Sequence, residues 1–269
     1  MSSVQTFFEE GGIKNSSPER ADFAELRGAA IEIKGLTKYY GKVKAVDGIS
    51  LTVKEGEVFA LLGENGAGKT TTIKVLCTLA GFNEGTVRVC GKDVSALGGE
   101  VRKIINVSPQ ETAVAKKLTV KENLVLAAEL YGMSEPQKRA EELIKEFKLC
   151  EEAGRLACKL SGGQQRKLSL AMALISEPRV LFLDEPTLGL DVRARRELWK
   201  EIERLKGKMT VILTTHYLEE AESLADRAAI MKKGKILACG TAEEIKAAAG
   251  ESSFEEAFLK LTGEDYAQD

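Results

Sequence analysis

The chain has 269 residues, of which 43% are hydrophobic and 30% charged, and its formal net charge at pH 7 is −2. This balance is typical of a globular protein with a sizeable core and lacks the concentrated basic charge of most nucleic-acid-binding domains, so we expect no nucleic-acid partner. Five widely spaced cysteines without a Cys-x-x-Cys pair argue against a disulfide framework and a zinc site, and the single histidine limits histidine-based metal chemistry.

Residues 1–29 are polar and predict an N-terminal tail, without the basic start and apolar core of a signal peptide. Within this tail, Ser17-Pro18 could begin a short helix that ends near Leu26, because serine is a favourable cap and proline a favourable first helical residue. No uninterrupted apolar stretch approaches 18 residues, so we expect the chain to work at a membrane only through a partner.

Two kinds of strand are predicted after the tail. Residues 31–33 and 49–53 alternate apolar and polar side chains, as half-buried strands do. Residues 57–62, 180–183 and 211–213 are mainly apolar runs, which are typical of strands buried on both faces of a parallel sheet. Because helical stretches separate these runs, the sequence predicts an α/β fold with a mainly parallel core sheet.

The segment from about 112 to 160 has a different pattern and predicts a helical insertion in the α/β core. Ser134-Glu-Pro-Gln137 has the spacing of a capping box and predicts a helix start. Leu143, Ile144 and Phe147 follow at helical period, so one face of this helix should be buried.

The last part of the chain predicts a hairpin and then helices. Residues 229–237 alternate around Lys233-Gly234, where the hairpin should turn. Residues 243–262 have a helical pattern on both sides of Gly250, so we expect two helices there.

Gly63-Glu-Asn-Gly-Ala-Gly-Lys-Thr70 matches the phosphate-loop pattern G-x-x-x-x-G-K-[ST]. The glycines let backbone N–H groups approach phosphate oxygens, and the helix predicted to begin near Lys69 adds its positive N-terminal end. Lys69 could reach the β- and γ-phosphates of ATP, and the Thr70 hydroxyl could hold Mg²⁺. The alternative is a glycine-rich turn without a ligand, which the predicted strand–loop–helix order disfavours.

Two acidic residues end the predicted strand at 180–183. Asp184 lies at the carboxyl end of this strand, where open α/β sheets bind their ligands, and could hold Mg²⁺ directly or through water. Glu185 could orient or deprotonate the water that attacks the γ-phosphate. Alone, the pair could equally form a solvated turn, but a phosphate loop in the same chain favours catalysis.

Leu160-Ser-Gly-Gly-Gln164 precedes an apolar helix and resembles the signature sequence of ATP-binding-cassette (ABC) ATPases. Ser161 and the Gly162 and Gly163 amides at a helix start would form an anion site. Alone, this pentapeptide would favour a glycine turn that caps a helix. The order of the motifs instead favours the family, and the resemblance covers about residues 31–263.

The resemblance implies the ABC ATPase fold of the phosphate-loop NTPases, which is an α/β fold with a mainly parallel core sheet, an antiparallel β subdomain and a helical insertion. It places the ATPase domain at residues 30–263, with a helical subdomain at about 112–160. Residues 1–29 and 264–269 would be tails on either side of this domain.

Further family positions match single residues of this chain. Tyr40 matches the aromatic residue that stacks on adenine, and the neighbouring Tyr39 could substitute for it. Gln110 matches the glutamine that contacts Mg²⁺ and links to the helical insertion. Asp191 matches a loop that crosses the dimer interface, and His216 matches the switch histidine that contacts the γ-phosphate.

Together these positions define a predicted site. The resemblance implies that Glu185, His216, Lys69 and Gln110 take part in catalysis, and that Thr70, Gln110 and Asp184 bind Mg²⁺. The implied ATP-binding residues are Tyr40, Gly63, Asn65, Gly66, Ala67, Gly68, Lys69, Thr70, Thr71, Ser161, Gly162, Gly163, Gln164 and Asp191.

The resemblance also implies how the protein works. Two copies, or one copy and a similar ATPase subunit, would pack head to tail with two ATP molecules between them, so that Ser161 and Gly163 complete the partner's site. ATP binding would close the pair, and hydrolysis with product release would open it. The helical insertion would transmit this motion to separate integral membrane permease subunits at the cytoplasmic face of the membrane.

Residues 214–222 and 253–263 are similar to ATPase subunits of ABC-2 type exporters. The alternative is a soluble ABC ATPase that drives assembly, as in iron–sulfur scaffold complexes. A chromosome or DNA-repair ATPase would need a long heptad-rich insertion, which the sequence lacks. A purely regulatory cassette without hydrolysis is disfavoured by Glu185 and His216.

Overall fold

The structure is a computed structural model that describes residues 28–263. The helix predicted between Ser17 and Leu26 and the predicted tail 264–269 lie outside the described residues. Among residues 28–263, no helix is both long enough and apolar enough to cross a membrane.

The strands lie in two sheets and are numbered in chain order. They are β1 (Ala29–Tyr40), β2 (Val43–Lys54), β3 (Val58–Leu62), β4 (Glu84–Val89), β5 (Lys92–Asp93), β6 (Ile105–Ser108), β7 (Val180–Asp184), β8 (Thr210–Thr215), β9 (Arg227–Lys232) and β10 (Lys235–Gly240). The core sheet has six strands in the order β10-β9-β3-β8-β7-β6, and the second sheet has four in the order β2-β1-β4-β5.

Strand direction differs between the two sheets. In the core sheet, β3 pairs in parallel with β8 and β9, and β7 pairs in parallel with β6 and β8, while β10 is antiparallel to β9. In the second sheet, β1 is antiparallel to both β2 and β4, and β4 is antiparallel to β5. The prediction of an α/β fold with a mainly parallel core sheet and an antiparallel β subdomain is therefore confirmed.

The helices connect these strands. They are α1 (Lys69–Leu76), α2 (Gly98–Arg102), α3 (Val120–Leu130), α4 (Pro136–Glu146), α5 (Gly162–Ala173), α6 (Val192–Glu203), α7 (Leu218–Leu224), α8 (Ala242–Ala249) and α9 (Phe254–Thr262). The hairpin of β9 and β10 turns at Lys233-Gly234, as predicted, and Gly250 ends α8 in a left-handed conformation before α9 begins.

Strand β3 shows why its sequence is a continuous apolar run. Val58, Ala60 and Leu62 belong to the core formed with the helices of one face, whereas Phe59 and Leu61 belong to the core beneath the antiparallel sheet. All five are essentially inaccessible to solvent. A strand covered on both faces needs apolar side chains at every position, because neither face of the pleat meets water.

Helices α3 and α4 fall within the segment predicted to be a helical insertion. Thr119 caps α3 by a capping box with Glu122, in which each residue's side chain bonds the other's backbone N–H. The capping box predicted at Ser134 for α4 was wrong. The N-cap is Glu135, which makes no side-chain capping bond, and Ser134 lies outside the helix. Pro136 takes the first helical position, where its fixed φ and missing N–H cost nothing, and this sets the start one residue later.

Candidate active site

The phosphate loop joins the end of β3 to the start of α1, and two of its glycines are required by close packing. A Cβ atom at Gly63 would lie 2.3 Å from the Met231 carbonyl oxygen, and one at Gly68 would lie 2.6 Å from the Ala45 carbonyl oxygen. Gly68 also has a φ of 107°, which L-residues rarely adopt. The loop can therefore follow this path only with glycine at both positions.

Lys69, the first residue of α1, is 4% exposed and points back into its own loop. Its Nζ donates hydrogen bonds to the carbonyl oxygens of Gly63 at 2.6 Å and Glu64 at 3.1 Å, and it lies 3.6 Å from Glu185 Oε1. Burial lowers the pKa of the Lys69 ammonium, and the Glu185 carboxylate acts in the opposite direction. The buried Lys69 ammonium thus lies beside Glu185, the acid that follows β7.

Asp184 ends β7 beside the end of β8, where its register partner is Thr214. Asp184 Oδ1 accepts hydrogen bonds from the Thr214 hydroxyl at 2.6 Å and from the Thr70 hydroxyl at 3.2 Å. The predicted metal-binding residues Thr70 and Asp184 are therefore in direct contact. Thr214 was not predicted as part of the site, although its place at the end of a buried strand was a usable signal.

Glu185 follows directly and is 7% exposed, with a left-handed backbone at φ 47°. Its backbone N–H lies within bonding distance of the Thr214 carbonyl oxygen at 3.2 Å and the Thr214 hydroxyl at 3.0 Å. Its Oε1 lies 3.4 Å from His216 Nδ1, which forms no hydrogen bond with any described residue. The carboxylate thus faces both Lys69 and His216.

Lys69, Thr70 and Glu185 open onto one cleft, the phosphate-loop cleft, with a volume of about 640 Å³, whereas the predicted residues Gly63, Asp184 and His216 do not line it. The predicted residues that line it are Asn65, Gly66, Ala67, Gly68, Lys69, Thr70, Thr71, Gln110 and Glu185. Four further residues that line it were not predicted, namely Val43, Lys44, Ala45 and Lys233. A cleft of this size is in the range that binds a small organic ligand.

Lys233 reaches this cleft because the β9–β10 turn packs on the phosphate loop. The Gly234 N–H donates to the Ala67 carbonyl oxygen at 2.9 Å, and the Asp47 N–H donates to the Gly234 carbonyl oxygen at 2.8 Å. Both turn residues have positive φ, 48° for Lys233 and 80° for Gly234. The sequence predicted the turn but gave no sign of its contact with a loop far away in the chain.

The other predicted ATP-binding residues do not line the cleft. Ser161 caps α5, accepting a bond from the Gln164 N–H at 3.3 Å, while the Gln164 side chain accepts one from the Ser161 N–H at 3.0 Å. Asp191 caps α6 by accepting from the Ala194 N–H at 2.9 Å. A Cβ at Gly163 would lie 2.7 Å from the Ala194 Cβ, so the two helix starts touch. We call residues 161–164 with Asp191 the signature surface.

Tyr40 is also outside the residues that line the cleft. It is 47% exposed at the end of β1, and the ammonium of Lys38 lies 4.9 Å from its ring centroid. The neighbouring Tyr39 has a similar contact, with the Lys44 ammonium 5.6 Å from its ring centroid. Each tyrosine therefore has a lysine ammonium within cation–π distance of its ring.

A buried acid of α7 bonds to the segment after β7 and to α6. Glu220 of α7 is completely buried, and its Oε1 accepts bonds from the Thr187 hydroxyl at 2.9 Å and Trp199 Nε1 at 3.1 Å. Its Oε2 has no hydrogen-bond partner among the described residues. Burial raises the pKa of this carboxyl, although the hydrogen bonds it accepts act against that. Sequence reasoning missed Glu220, since a glutamate in an acidic helix resembles a solvated one.

Comparison with known proteins gives a family and several relatives. Residues 46–188 match the family model described as ABC transporter. The chain is 45% identical over 224 residues to the daunorubicin resistance ATP-binding protein DrrA3 of Streptomyces coeruleorubidus, and the match covers 82% of this chain and 71% of that protein. It is 42% identical over 216 residues to the Nod factor export ATP-binding protein I of Burkholderia orbicola, covering 79% of this chain and 71% of the relative.

A solved structure of an ATP binding subunit of an ABC transporter has a similar fold. Its TM-score is 0.77 at 32% sequence identity, and the match covers 87% of this chain and 99% of the other. The similarity thus extends well beyond the region of the family model, into the strands and helices on both sides of it.

Proposed function

Because the chain belongs to the ABC transporter family, we propose that it works as one half of a head-to-tail ATPase pair that drives separate membrane subunits. The chain itself is an ATPase and an ATP-binding subunit of the exporter kind, because its family and its relatives are of this kind. The observation that carries the proposal is the group formed at the phosphate-loop cleft by Glu185, whose Oε1 lies 3.6 Å from Lys69 Nζ and 3.4 Å from His216 Nδ1.

ATP would bind with its phosphates in the phosphate loop. The start of α1 presents backbone N–H groups and the positive end of the helix to an anion. Lys69 donates to the Gly63 and Glu64 carbonyls, and phosphate oxygens would replace these acceptors when ATP enters. A buried ammonium attracts an anion more strongly than an exposed one, because little water screens the interaction.

The donor set at the end of β7 fits Mg²⁺. This ion prefers hard oxygen ligands and usually binds through one or two carboxylates together with substrate phosphates. Thr70 and Asp184 supply a hydroxyl and a carboxylate oxygen already in contact, and Gln110 lines the same cleft. Bound there, Mg²⁺ would neutralise charge that develops on the phosphates.

Glu185 would orient the attacking water and accept its proton. Its carboxylate is nearly buried and faces the cleft beside Lys69, where a water on the γ-phosphate would lie. His216, whose Nδ1 lies 3.4 Å from Glu185 Oε1, would contact the γ-phosphate. In-line displacement on a phosphate depends mainly on such positioning and on charge stabilisation.

The signature surface would complete the site of a partner cassette. Ser161 and Asp191 are exposed, and Ser161 Oγ can still donate its hydrogen outward while accepting from Gln164 N–H. The N-terminus of α5 adds a positive end at the same place. These groups suit the γ-phosphate of an ATP held by the other copy, and Tyr40 would stack on the adenine of its own chain's ATP.

We further propose that the helical insertion docks on integral membrane permease subunits at the cytoplasmic face. Helix α3 exposes Leu126 and Leu130 by 41% and 79%, and Tyr131 behind it is 49% exposed. The relatives' names refer to different cargoes, a drug and a Nod factor, so cargo choice would lie in the membrane subunits. None of these relatives favours the alternative of an iron–sulfur assembly ATPase.

Subunit complementation tests the head-to-tail arrangement. Lys69→Ala removes the phosphate-loop cation and Ser161→Arg blocks the signature surface, so each variant alone should release almost no phosphate. Mixed in equal amounts, they should regain up to about a quarter of the wild-type rate, since half of the randomly formed pairs are mixed and each has one complete site.

The matched control mixes Lys69→Ala with Glu185→Gln. Both changes lie in the phosphate-loop cleft, so no pair of these variants contains a complete site and the mixture should stay inactive. Equal activity of the two mixtures, or none in either, would contradict completion of the site by a partner. Phosphate release by the wild-type protein is measured in the same assay.

A further inference from the structure

Arg166 lies on α5, five residues after Ser161, and is 4% exposed although it is an arginine. Arginine is almost never buried to this degree without partners. Among the described residues, no carboxylate forms a salt bridge with it. All its hydrogen bonds go to backbone carbonyl oxygens instead.

These carbonyls belong to the two segments that carry the predicted hydrolytic residues. On one side, Nη1 donates to Pro109 at 2.6 Å and to Gln110 at 3.1 Å. On the other side, Nε donates to Pro186 at 2.6 Å, and Nη2 donates to Asp184 and Glu185, each at 3.1 Å. The Arg166 guanidinium therefore joins α5, the signature helix, to the segment that carries Gln110 and to the segment that carries Glu185.

The geometry depends on the planar fork of arginine. Five N–H groups point in fixed directions and can reach acceptors on two sides at once, whereas a lysine ammonium at this depth would reach one side only. Burial lowers the pKa of the guanidinium, and the Asp184 and Glu220 carboxylates act in the opposite direction. An arginine stays protonated in proteins, so the buried charge is shared among carbonyl dipoles.

Glu185 shows what these bonds fix. Its N–H is held by Thr214 and its carbonyl oxygen by Arg166, so the backbone on both sides of its Cα is tethered. Its φ of 47° is unfavourable for glutamate and persists only if its surroundings impose it. Arg166 shares the Glu185 carbonyl oxygen with the Leu188 N–H, which donates to it at 3.2 Å, while Thr214 of β8 holds the N–H on the other side.

We propose that Arg166 is a positioning residue that aligns Glu185 and Gln110 with the signature helix of the same chain. In the proposed pair, α5 contacts the partner's ATP, so a shift of α5 would reach the chain's own hydrolytic groups through this side chain. The inference rests on the proposed function, because it assigns a role to the segments around the proposed ATP site.

Arg139 provides a matched control at the other end of α5. It is an arginine of α4 whose Nε and Nη2 donate to the carbonyl oxygens of Ile175 at 3.3 Å and Leu174 at 3.0 Å. It therefore ties α5 to another element through backbone carbonyls, as Arg166 does. These carbonyls lie at the C-terminal end of the helix, and Arg139 does not touch the cleft.

The experiment compares Arg166→Lys, Arg166→Gln and Arg139→Lys in the full chain. We measure kcat from phosphate release, the Kd of a fluorescent ATP analogue, and thermal unfolding by circular dichroism. Arg166→Lys should lower kcat by about 10- to 100-fold, the cost of a small misplacement of reacting groups, while Kd changes by less than about 3-fold. Arg139→Lys should lower the unfolding temperature without lowering kcat.

Three results would overturn the inference. The first is an unchanged kcat in Arg166→Lys. The second is a loss of kcat that Arg139→Lys shares at equal loss of thermal stability. The third is failure of both Arg166 variants to fold while Arg139→Lys folds, which would make Arg166 a folding residue. A wild-type protein that releases no phosphate would count instead against the proposed function.

Discussion

In the phosphate-loop cleft, polar side chains bond to one another and to the backbone of the same chain, whereas two polar residues of the signature surface, Ser161 and Asp191, face solvent. Lys69, Asp184 and Glu185 are each less than a tenth exposed, and each has partners from a distant part of the sequence. Ser161 and Asp191 are exposed, and within residues 28–263 they bond only to the first turn of their own helices. The first region is a formed cleft, and in the proposed pair the second would become part of a site when a partner binds.

The largest expected effect comes from Glu185→Gln, which alters the cleft and leaves the signature surface intact. Loss of the proton acceptor should lower kcat by about 10²- to 10⁴-fold, the usual worth of a general base. Because ATP still binds but is not hydrolysed, a dimer should accumulate with ATP, measured by light scattering after gel filtration.

The control for this change is Glu222→Gln, an exposed glutamate of α7. It should hydrolyse ATP at the wild-type rate and show no lasting dimer. If Glu185→Gln kept most of the activity, the water-orienting role would belong to another residue, and the cleft would be a binding site without this catalytic group.

Gly163→Ala alters the signature surface and changes no residue that lines the cleft. The new methyl group would lie 2.7 Å from the Ala194 Cβ, so the starts of α5 and α6 must separate. Overpacking of this kind costs about 1–3 kcal/mol, which urea unfolding would measure. ATP-dependent dimerisation should weaken, while the Kd of an ATP analogue for the single chain should stay at its wild-type value.

The double variant Gly163→Ala/Ala194→Gly sharpens this prediction. Removal of the opposing methyl group makes room for the new one, so dimerisation should return even though glycine in α6 costs some helix stability. If the double variant dimerised no better than Gly163→Ala alone, steric contact between the helix starts would not be the cause.

The smallest expected effect concerns Glu220, which bonds to Thr187 and Trp199 outside both regions. Its folded-state pKa is raised by burial above the ordinary value of 4.5. The folded state therefore holds a proton that the unfolded state has lost, and the stability from this group is present below pH 4.5 and is lost as pH rises through the raised pKa.

Glu220→Gln removes this titration. The free energy of unfolding of the wild-type protein minus that of the variant should fall as pH rises above about 4.5 and become constant above the raised pKa. Urea unfolding at a series of pH values gives this difference. A difference independent of pH would mean that the carboxyl titrates alike in the folded and unfolded states.

Much of the cleft could be predicted because its residues lie in local motifs. The phosphate loop, Asp184 and Glu185 each follow a strand that the sequence marks by an apolar run, and strand ends in a parallel sheet meet at one edge. The fold class followed from the same runs. The local sequence pattern thus predicted both the parallel sheet and the site residues that follow its strands.

Residues that reach the site from elsewhere could not be predicted. Lys233 enters the cleft through a turn that packs on the phosphate loop, and Arg166 acts on backbone carbonyls, which carry no sequence signal. The capping box predicted for α4 was wrong for a different reason, because Pro136 takes the first helical position and makes Glu135 the N-cap in place of Ser134. Long-range contacts and competing local signals are the two sources of error.

The left-handed backbone of Glu185 has a consequence for engineering. Asparagine and glycine adopt this conformation at lower cost. A redesign that maximises the free energy of unfolding would therefore favour either of them at position 185. Such a protein would gain thermal resistance and lose the carboxylate beside Lys69 and His216. Thermostable versions of this ATPase should therefore be selected by turnover at elevated temperature, since melting temperature alone would reward the loss of the group proposed to activate water.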